Sequence, residues 1–224
     1  MSFVFLDQRL WFPAPSRADA EGLVAVGGDL SPERLLLAYR TGIFPWTADP
    51  LTWWSPDPRG IFEFSRFHAS RSLLKVLRRN VFTITLDRAF ADVMKGCALP
   101  ARGRRETWIS DEFVEAYSEL HRCGWAHSLE CWEGQRLVGG VYGVAIGGFF
   151  AGESMFHLVS NASKVALFYL VNHLQASGYE LFDIQMLTSI TKQMGAIEVP
   201  RREYLARLQL ALKKPCVFRT VAAT

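Results

Sequence analysis

The chain has 224 residues, half of them hydrophobic, with 25 Lys and Arg against 22 Asp and Glu for a net charge of +3. That apolar content and small net charge exclude a disordered polymer and supply a core for one domain with an extension or for two small domains. No run of 18 or more apolar residues occurs, so no membrane-spanning helix is expected, and the N-terminal MSFVFLDQRLWFPAP lacks the pattern of a signal peptide.

The first sixty residues hold seven of the ten prolines, in FPAP, SPERL, IFPW, ADP and SPDPR. Residues 1–62 read as a small, loop-rich N-terminal domain with one helix. Ser31 as N-cap, Pro32 at the first helical position and Glu33 in the first turn open it. Leu35–Tyr39 continues it and Gly42 ends it. Residues 63–224 alternate between helix, strand and turn signals. Residues 69–79 (ASRSLLKVLRR) predict a helix and 81–86 (VFTITL) a strand. Asp87 is placed to cap a helix through Met94 that stops near Gly96. Ser110, Asp111 and Glu112 open another, carrying Phe113, Tyr117 and Leu120, which Gly124 ends. Strands are expected over 126–132, 136–146 and 148–156, with glycines at 139, 140, 143, 147 and 148 marking tight turns or bulges. Asn161 caps ASKVALFYLVNHLQAS, a helix so apolar that it should be buried, and Gly178 ends it. A strand over 180–186 (ELFDIQM) and a helix over 201–212 follow. This order fits an α+β fold with a mixed central sheet.

Cys97, Cys123, Cys131 and Cys216 show no CxxC spacing, which predicts reduced thiols in a cytoplasmic protein. The five histidines are scattered without an HExxH, so no metal and no other cofactor is expected.

Two stretches place polar groups where apolar ones would be expected: Gly152-Glu153-Ser154-Met155-Phe156 and Phe182-Asp183-Ile184-Gln185-Met186. Strand alternation puts Leu181, Asp183 and Gln185 on one face, and Phe182, Ile184 and Met186 on a wholly apolar face turned to the core. The polar face is either the exposed side of an ordinary strand or a site. Glu153, taken alone, reads equally as a solvated acid at a strand end.

A net charge of +3 says little about nucleic acid, so that reading rests on clusters. On the helix over 69–79, Arg71, Lys75, Arg78 and Arg79 fall within an arc of about 100°, opposite Leu73, Leu74, Val76 and Leu77. No acid lies between Arg66 and Asp87, and an all-cationic face favours a polyanion over plain solvent. Arg102, Arg104 and Arg105 form a second basic cluster in an expected loop. Trp46, Trp53 and Trp54 lie in proline-punctuated sequence and Trp108 follows the basic loop. Each could stack a base or fill a small core.

Several segments resemble one family in order and spacing. They are Gly22-Leu-Val-Ala-Val-Gly-Gly-Asp-Leu-Ser-Pro32, Gly42-Ile-Phe-Pro-Trp46, Trp53-Trp-Ser-Pro-Asp-Pro-Arg59, Gly96-Cys-Ala98, Thr107-Trp-Ile109 and His127-Ser128. Gly139-Gly-Val-Tyr-Gly-Val-Ala145, Gly152-Glu-Ser-Met-Phe156, Asn161-Ala-Ser-Lys164 and Pro200-Arg-Arg202 follow. Together they resemble the leucyl/phenylalanyl-tRNA–protein transferases of the bacterial N-degron pathway over nearly the whole chain. The resemblance implies a C-terminal domain, 63–224, of GNAT acetyltransferase-like fold. It implies aminoacyl-tRNA carrying Leu, Phe or Met as donor, and proteins with N-terminal Arg or Lys as acceptors. It implies Asp183, Gln185 and Glu153 at the reaction centre and Trp46 and Trp108 around the terminal adenosine. It also implies Phe150, Met155, Leu167 and Leu170 around the donor side chain. Val141 and Leu170 stand where some relatives carry Met and Phe. The protein is expected to be a monomer.

Acetyltransferases of that fold cradle a pyrophosphate with a [Q/R]-x-x-G-x-[G/A] loop. His157-Leu-Val-Ser-Asn-Ala-Ser-Lys164 stands here instead and has no glycine, which argues against acetyl-CoA. The implied reaction is aminolysis of an ester by an α-amine. With an amine pKa of about 7.7–8.0, deprotonation at pH 7 costs only about 1–1.4 kcal/mol. Orientation, worth up to about 7–11 kcal/mol, should therefore dominate. Asp183 is expected to orient Gln185 and accept charge, Gln185 to hold the amine, and Glu153 to hold the cationic N-terminal residue or the ammonium. No covalent intermediate is expected, since no Ser or Cys shows a paired base. An N-acyltransferase with a small donor and a non-catalytic RNA-binding module are the alternatives.

Overall fold

Two sheets organise the chain, the larger a mixed sheet of seven strands. The computed structural model describes residues 4–100 and 107–218. The first half runs β1 (Phe5–Leu6), β2 (Leu23–Gly27), α1 (Pro32–Thr41), β3 (Phe44–Ala48), β4 (Leu51–Trp54), β5 (Arg59–Phe62), α2 (Arg71–Arg79), β6 (Thr83–Leu86), α3 (Phe90–Ala98) and α4 (Asp111–Arg122). The second runs β7 (Ala126–Glu133), β8 (Arg136–Ile146), β9 (Phe149–His157), α5 (Ala162–Ala176), β10 (Leu181–Gln185), α6 (Ser189–Gln193), β11 (Ala196–Val199) and α7 (Arg201–Ala211). Among the described residues, no helix is long and apolar enough to cross a membrane.

The stretch before residue 62 holds more strand than its prolines announce. The strands β1 to β4 form a sheet in the order β1-β2-β4-β3. Pro45 lies on β3, an edge strand, where a missing N–H need not break a ladder. The next strand, β5, joins the large sheet, whose order is β11-β5-β10-β9-β8-β7-β6. There β9 and β10 run parallel while every other neighbouring pair is antiparallel.

Two cores flank the large sheet. One lies under α5 and α2 and contains Val141, Phe150, Leu167, Leu170 and Phe182. The other lies under α3 and α4 and runs without a break into the small sheet, α1 and α7, through Trp53, Phe113, Tyr142, Phe149 and Tyr204. Of α5, the buried residues are those facing the sheet, while Tyr169, Asn172 and Gln175 are exposed, so this apolar helix covers a face rather than threading the interior.

Helix ends fall largely where expected, although Ser31, Ser110 and Asn161 stand at the N-cap positions without a side-chain cap hydrogen bond. Gly42 ends α1 in the left-handed region at φ 83, and the Ser70 hydroxyl accepts the Leu73 N–H at 3.2 Å to cap α2. Asp87 does not cap α3. Its carboxylate accepts the Ser128 N–H at 2.8 Å and pairs with the His127 ring at 2.7 Å. The N–H groups of Arg88 and Ala89 instead donate to buried Glu130, at 3.3 and 3.4 Å. A buried carboxylate brought from β7 thus ties down the chain entering α3 without capping its first turn. The short elements α6 and β11 lie in sequence too brief and mixed in polarity to signal them.

Of the glycines in the β8–β9 hairpin, Gly143 is the most tightly confined by side chains and backbone together. A Cβ there would lie 2.1 Å from the Ala151 carbonyl oxygen and 2.5 Å from the Phe150 ring. Gly143→Ala should therefore lower the unfolding free energy by about 1–3 kcal/mol, read as a fall in the urea midpoint at an unchanged m-value.

Candidate active site

The parallel pair is where the sheet opens. β9 and β10 pair from Leu181–Phe149 to Asp183–Ala151 and no further. Just beyond, each strand carries an extra residue against its other neighbour. Gly152 faces Gly143 and Ser154 faces Tyr142, so Glu153 has no partner on β8. Asp183 faces Ile61 and Gln185 faces Gly60, so Ile184 has none on β5. Bulges of this kind bend a strand and re-aim its side chains. Where the strands part lie two cavities of about 220 Å³ each. Glu153, Ile184, Gln185, Met186 and Thr188 line both.

Regular alternation does not survive this irregularity. Phe182 is buried and Ile184 packs against the same core as expected, although Ile184 also borders both cavities, whereas Met186 is 44% exposed. The reason is Gln185, which adopts φ 56. That left-handed conformation is unfavourable for a residue with a Cβ, and it turns the chain out of the strand. Gly60 makes room for the turn, since a Cβ there would lie 2.9 Å from the Met186 carbonyl carbon.

What holds Gln185 in that conformation is Asp183. Its Oδ1 accepts the Gln185 backbone N–H at 2.8 Å. Asp183 itself is fully buried and lines neither cavity. Its carboxylate is gripped by Arg59, whose Nε–H donates to Oδ1 at 2.9 Å and whose Nη2 donates to Oδ2 at 2.6 Å. The Tyr204 hydroxyl of α7 donates to Oδ2 at 2.9 Å. Burial disfavours the charge on Arg59, but the attraction of Asp183 outweighs it and holds the guanidinium pKa above its ordinary value. A bidentate, in-plane pair of this kind is among the stronger hydrogen-bonded arrangements open to a carboxylate.

Glu153 stands in a different setting. Its Oε1 accepts the Gln185 side-chain N–H at 3.0 Å, and its Oε2 faces the Tyr117 hydroxyl at 3.4 Å. Tyr117 in turn shares a short hydrogen bond with Tyr39. Burial is the chief influence on the Glu153 carboxyl, pushing its pKa up to about 8; hydrogen bonds from Tyr39 and Tyr117 oppose the rise and the nearby Asp183 charge adds to it. Burial likewise holds the hydroxyls of Tyr39 and Tyr117 well above their ordinary range. The site thus contains one carboxylate locked in an ion pair and one carboxyl poised to gain or lose a proton near neutral pH.

The remaining residues singled out in the sequence fall in three places. Trp46 and Trp108 both line the first cavity, with Phe44 and Pro45 beside them, and Trp54 braces Trp46 edge-on at 5.2 Å. Met155 and Leu167 line the second cavity with Val141 and Phe182, whereas Phe150 and Leu170, each 1% exposed, lie behind that wall. Arg71, Lys75, Arg78 and Arg79 are all exposed on α2, which packs against α5. Arg102, Arg104 and Arg105 lie outside the described residues. Trp53 is core, its indole N–H donating to the Gly27 carbonyl at 2.8 Å. Arg59, Tyr204, Tyr39 and Tyr117 were not singled out. Arg59 had a faint signal, a charge opening the apolar run Gly60-Ile61-Phe62, but its partner lies 124 residues away.

A family model described as leucyl/phenylalanyl-tRNA protein transferase matches residues 61–209, and one for the N-terminal domain of the same family matches residues 28–57. The chain is 50% identical to the leucyl/phenylalanyl-tRNA–protein transferase of Pseudoalteromonas atlantica, over 94% of this chain and 92% of that one. It is 53% identical to the protein of the same name from Syntrophobacter fumaroxidans, over 91% and 88%. Among solved structures, L-PGS from Bacillus licheniformis is similar at 16% identity and a TM-score of 0.43, over 71% of this chain and 54% of that one, a likeness too remote to bear on function. The chain belongs to the leucyl/phenylalanyl-tRNA–protein transferase family.

Proposed function

We propose that the protein transfers leucine or phenylalanine, and also methionine, from aminoacyl-tRNA to the N-terminal Arg or Lys of acceptor proteins, marking them for degradation by the N-degron route. The observation that carries this reading is the pair of adjoining cavities with Glu153 and Gln185 in their common wall. The terminal adenosine enters the first, between Trp46 and Trp108, where stacking is worth about 1–3 kcal/mol per base. The donor side chain enters the second, against Met155 and Leu167, with Phe150 and Leu170 setting its depth from behind. The ester then lies at the shared wall. Arg71, Lys75, Arg78 and Arg79 hold the tRNA phosphates from α2. Residues 1–62 act as a small adenosine-side unit and residues 63–224 as a GNAT-like transfer unit; the parallel pair β9–β10 backed by α5 supports that assignment. We take the working protein to be a cytoplasmic monomer without cofactor.

In the transfer, the acceptor amine nitrogen bonds to the ester carbonyl carbon, the bond from that carbon to the ribose oxygen breaks, and the ribose leaves as its hydroxyl with the proton the amine gives up. With the Gln185 amide N–H engaged by Glu153, its carbonyl oxygen is free to accept an amine N–H and aim the lone pair. Glu153, with a pKa of about 8, matches the α-amine at about 7.7–8.0, so a proton can pass between them at little cost. Asp183 is already neutralised by Arg59. It therefore acts through Gln185 rather than as a base.

The direct test is transfer of labelled leucine from tRNA to an Arg-tipped peptide. Retention on immobilised coenzyme A with transfer in the absence of RNA would instead support the small-donor alternative. Gln185→Ala and Asp183→Asn should lower turnover by about 10²-fold with little change in affinity for charged tRNA. Asparagine suits Asp183 because it keeps the volume and one acceptor oxygen, whereas alanine would leave a cavity beside the unpaired guanidinium as well.

Charge reversal at Arg71 and Arg78 should raise KM for charged tRNA and flatten its salt dependence. If four phosphates are contacted, the wild type should lose roughly 50- to 150-fold in affinity between 50 and 200 mM salt.

Since burial raises the Glu153 pKa, the carboxyl is mostly protonated below about pH 8 in the empty site. A cation bound beside it draws the proton off. Calorimetric titration of an Arg-tipped peptide at pH 7, in buffers of different ionisation enthalpy, should register proton release in the wild type. Glu153→Gln should lose that component.

A further inference from the structure

Granted the transfer reaction proposed above, we infer that Arg59 is a positioning residue holding the two halves of the donor site at their working separation. One guanidinium fixes Gln185 through Asp183 and fixes the strand bearing Trp46 through the Gly42 carbonyl. Arg59 opens β5, the strand of the large sheet that directly follows the small sheet in sequence, and is 1% exposed. Two of its nitrogens grip Asp183 at 2.9 and 2.6 Å, and Oδ1 of that carboxylate passes the constraint to the Gln185 N–H at 2.8 Å. Its third nitrogen, Nη1, donates to the Gly42 carbonyl at 3.2 Å. Gly42 closes α1, and the chain runs from it through Ile43 directly into β3, which carries Trp46.

The rings on either side complete the clamp. The guanidinium carbon lies 4.7 Å from the Phe44 ring centroid and 4.4 Å from that of Tyr204. Phe44 is on β3 and lines the first cavity beside Trp46. Hydrogen bonds in the plane and rings across its faces leave the group no low-cost displacement. Burial alone would be served by any well-packed side chain. Only a planar, three-pronged cation can hold a carboxylate bidentately while reaching a carbonyl on another strand. A lysine keeps the charge but offers a point donor, so it can serve one end and not both. The polar contacts of the Tyr204 hydroxyl lie at the Asp183 end: it donates to Oδ2 at 2.9 Å and accepts from Arg59 Nη2 at 3.3 Å.

The two ends can be separated kinetically. With leucyl-tRNA as donor and an Arg-tipped peptide as acceptor, Arg59→Lys should lower kcat by about 10²-fold, the usual cost of a displacement near 1 Å. It should also raise KM for leucyl-tRNA about 10-fold, because the Trp46 wall loses its tie. Tyr204→Phe should lower kcat about 10-fold and leave KM for leucyl-tRNA within about twofold. Rates are taken per folded molecule, with the folded fraction read by near-ultraviolet circular dichroism. A merely structural Arg59 predicts a lowered Tm with wild-type kcat and KM in the molecules that remain folded, and that result would overturn the inference. So would Tyr204→Phe raising KM at unchanged kcat. Should Arg59→Lys fail to fold, Tyr204→Phe decides alone: an unchanged kcat rejects the inference and a lowered kcat at constant KM upholds it. Transfer by the wild type separates the two claims, since an inactive wild type removes the proposed function as well, whereas normal kinetics in the variants remove this inference only.

Discussion

A charge pair with almost no contact with water, Arg59 with Asp183, sets the geometry of everything around the cavities. A buried ion pair is seldom the most stabilising way to fill a core, because withdrawing both charges from water costs about as much as their attraction returns. Its value here is directional. A carboxylate held on both oxygens has one free direction left at Oδ1, and the Gln185 N–H occupies it. Apolar residues of the same volume could pack the space but could not dictate where the next peptide group points.

The opening of the sheet follows the same logic at larger scale. A parallel pair in an otherwise antiparallel sheet is free to diverge, because each strand keeps its ladder with its outer neighbour: β8 for β9 and β5 for β10. Divergence leaves backbone and side chains at the parting edge without the usual partners. Here the two bulged residues, Glu153 and Ile184, fill that edge with one carboxyl and one apolar group. The two carboxyl groups then differ by environment alone. Asp183 sits among donors that neutralise it. Glu153 faces tyrosine hydroxyls and an amide, which stabilise its charge too weakly to offset burial.

The sequence was most informative where structure is local and least where it is distant. Helix stops at Gly42 and Gly124, the exposed cations of α2 and the strand pair joined at Gly147 and Gly148 were all legible, because caps, periodicity and turns act over a few residues. The small sheet was hidden by its own prolines. Asp183 and Gln185 stood out as polar residues in an apolar run, and the divergence of β9 from β10 brings Gln185 to a cavity. Alternation misplaced Met186, since a single left-handed residue cannot be seen from residue types that ordinarily avoid it. Asp87 was misread as a cap because its true partners, Ser128 and His127, lie about forty positions on. Arg59, Tyr39, Tyr117 and Tyr204 were out of reach for the same reason: each matters through a contact that only the folded topology creates.

The left-handed turn at residue 185 has a consequence for what side chain that position can accept. Two unrelated demands meet there. The backbone, at φ 56, would rest more easily with glycine or asparagine. The side chain must extend far enough to meet Glu153 at 3.0 Å, which glycine cannot do at all and asparagine, a methylene shorter, cannot do without drawing the strand after it. Relief of the main chain and span of the side chain are thus set against each other, and glutamine is the compromise that keeps the amide while accepting the torsional penalty.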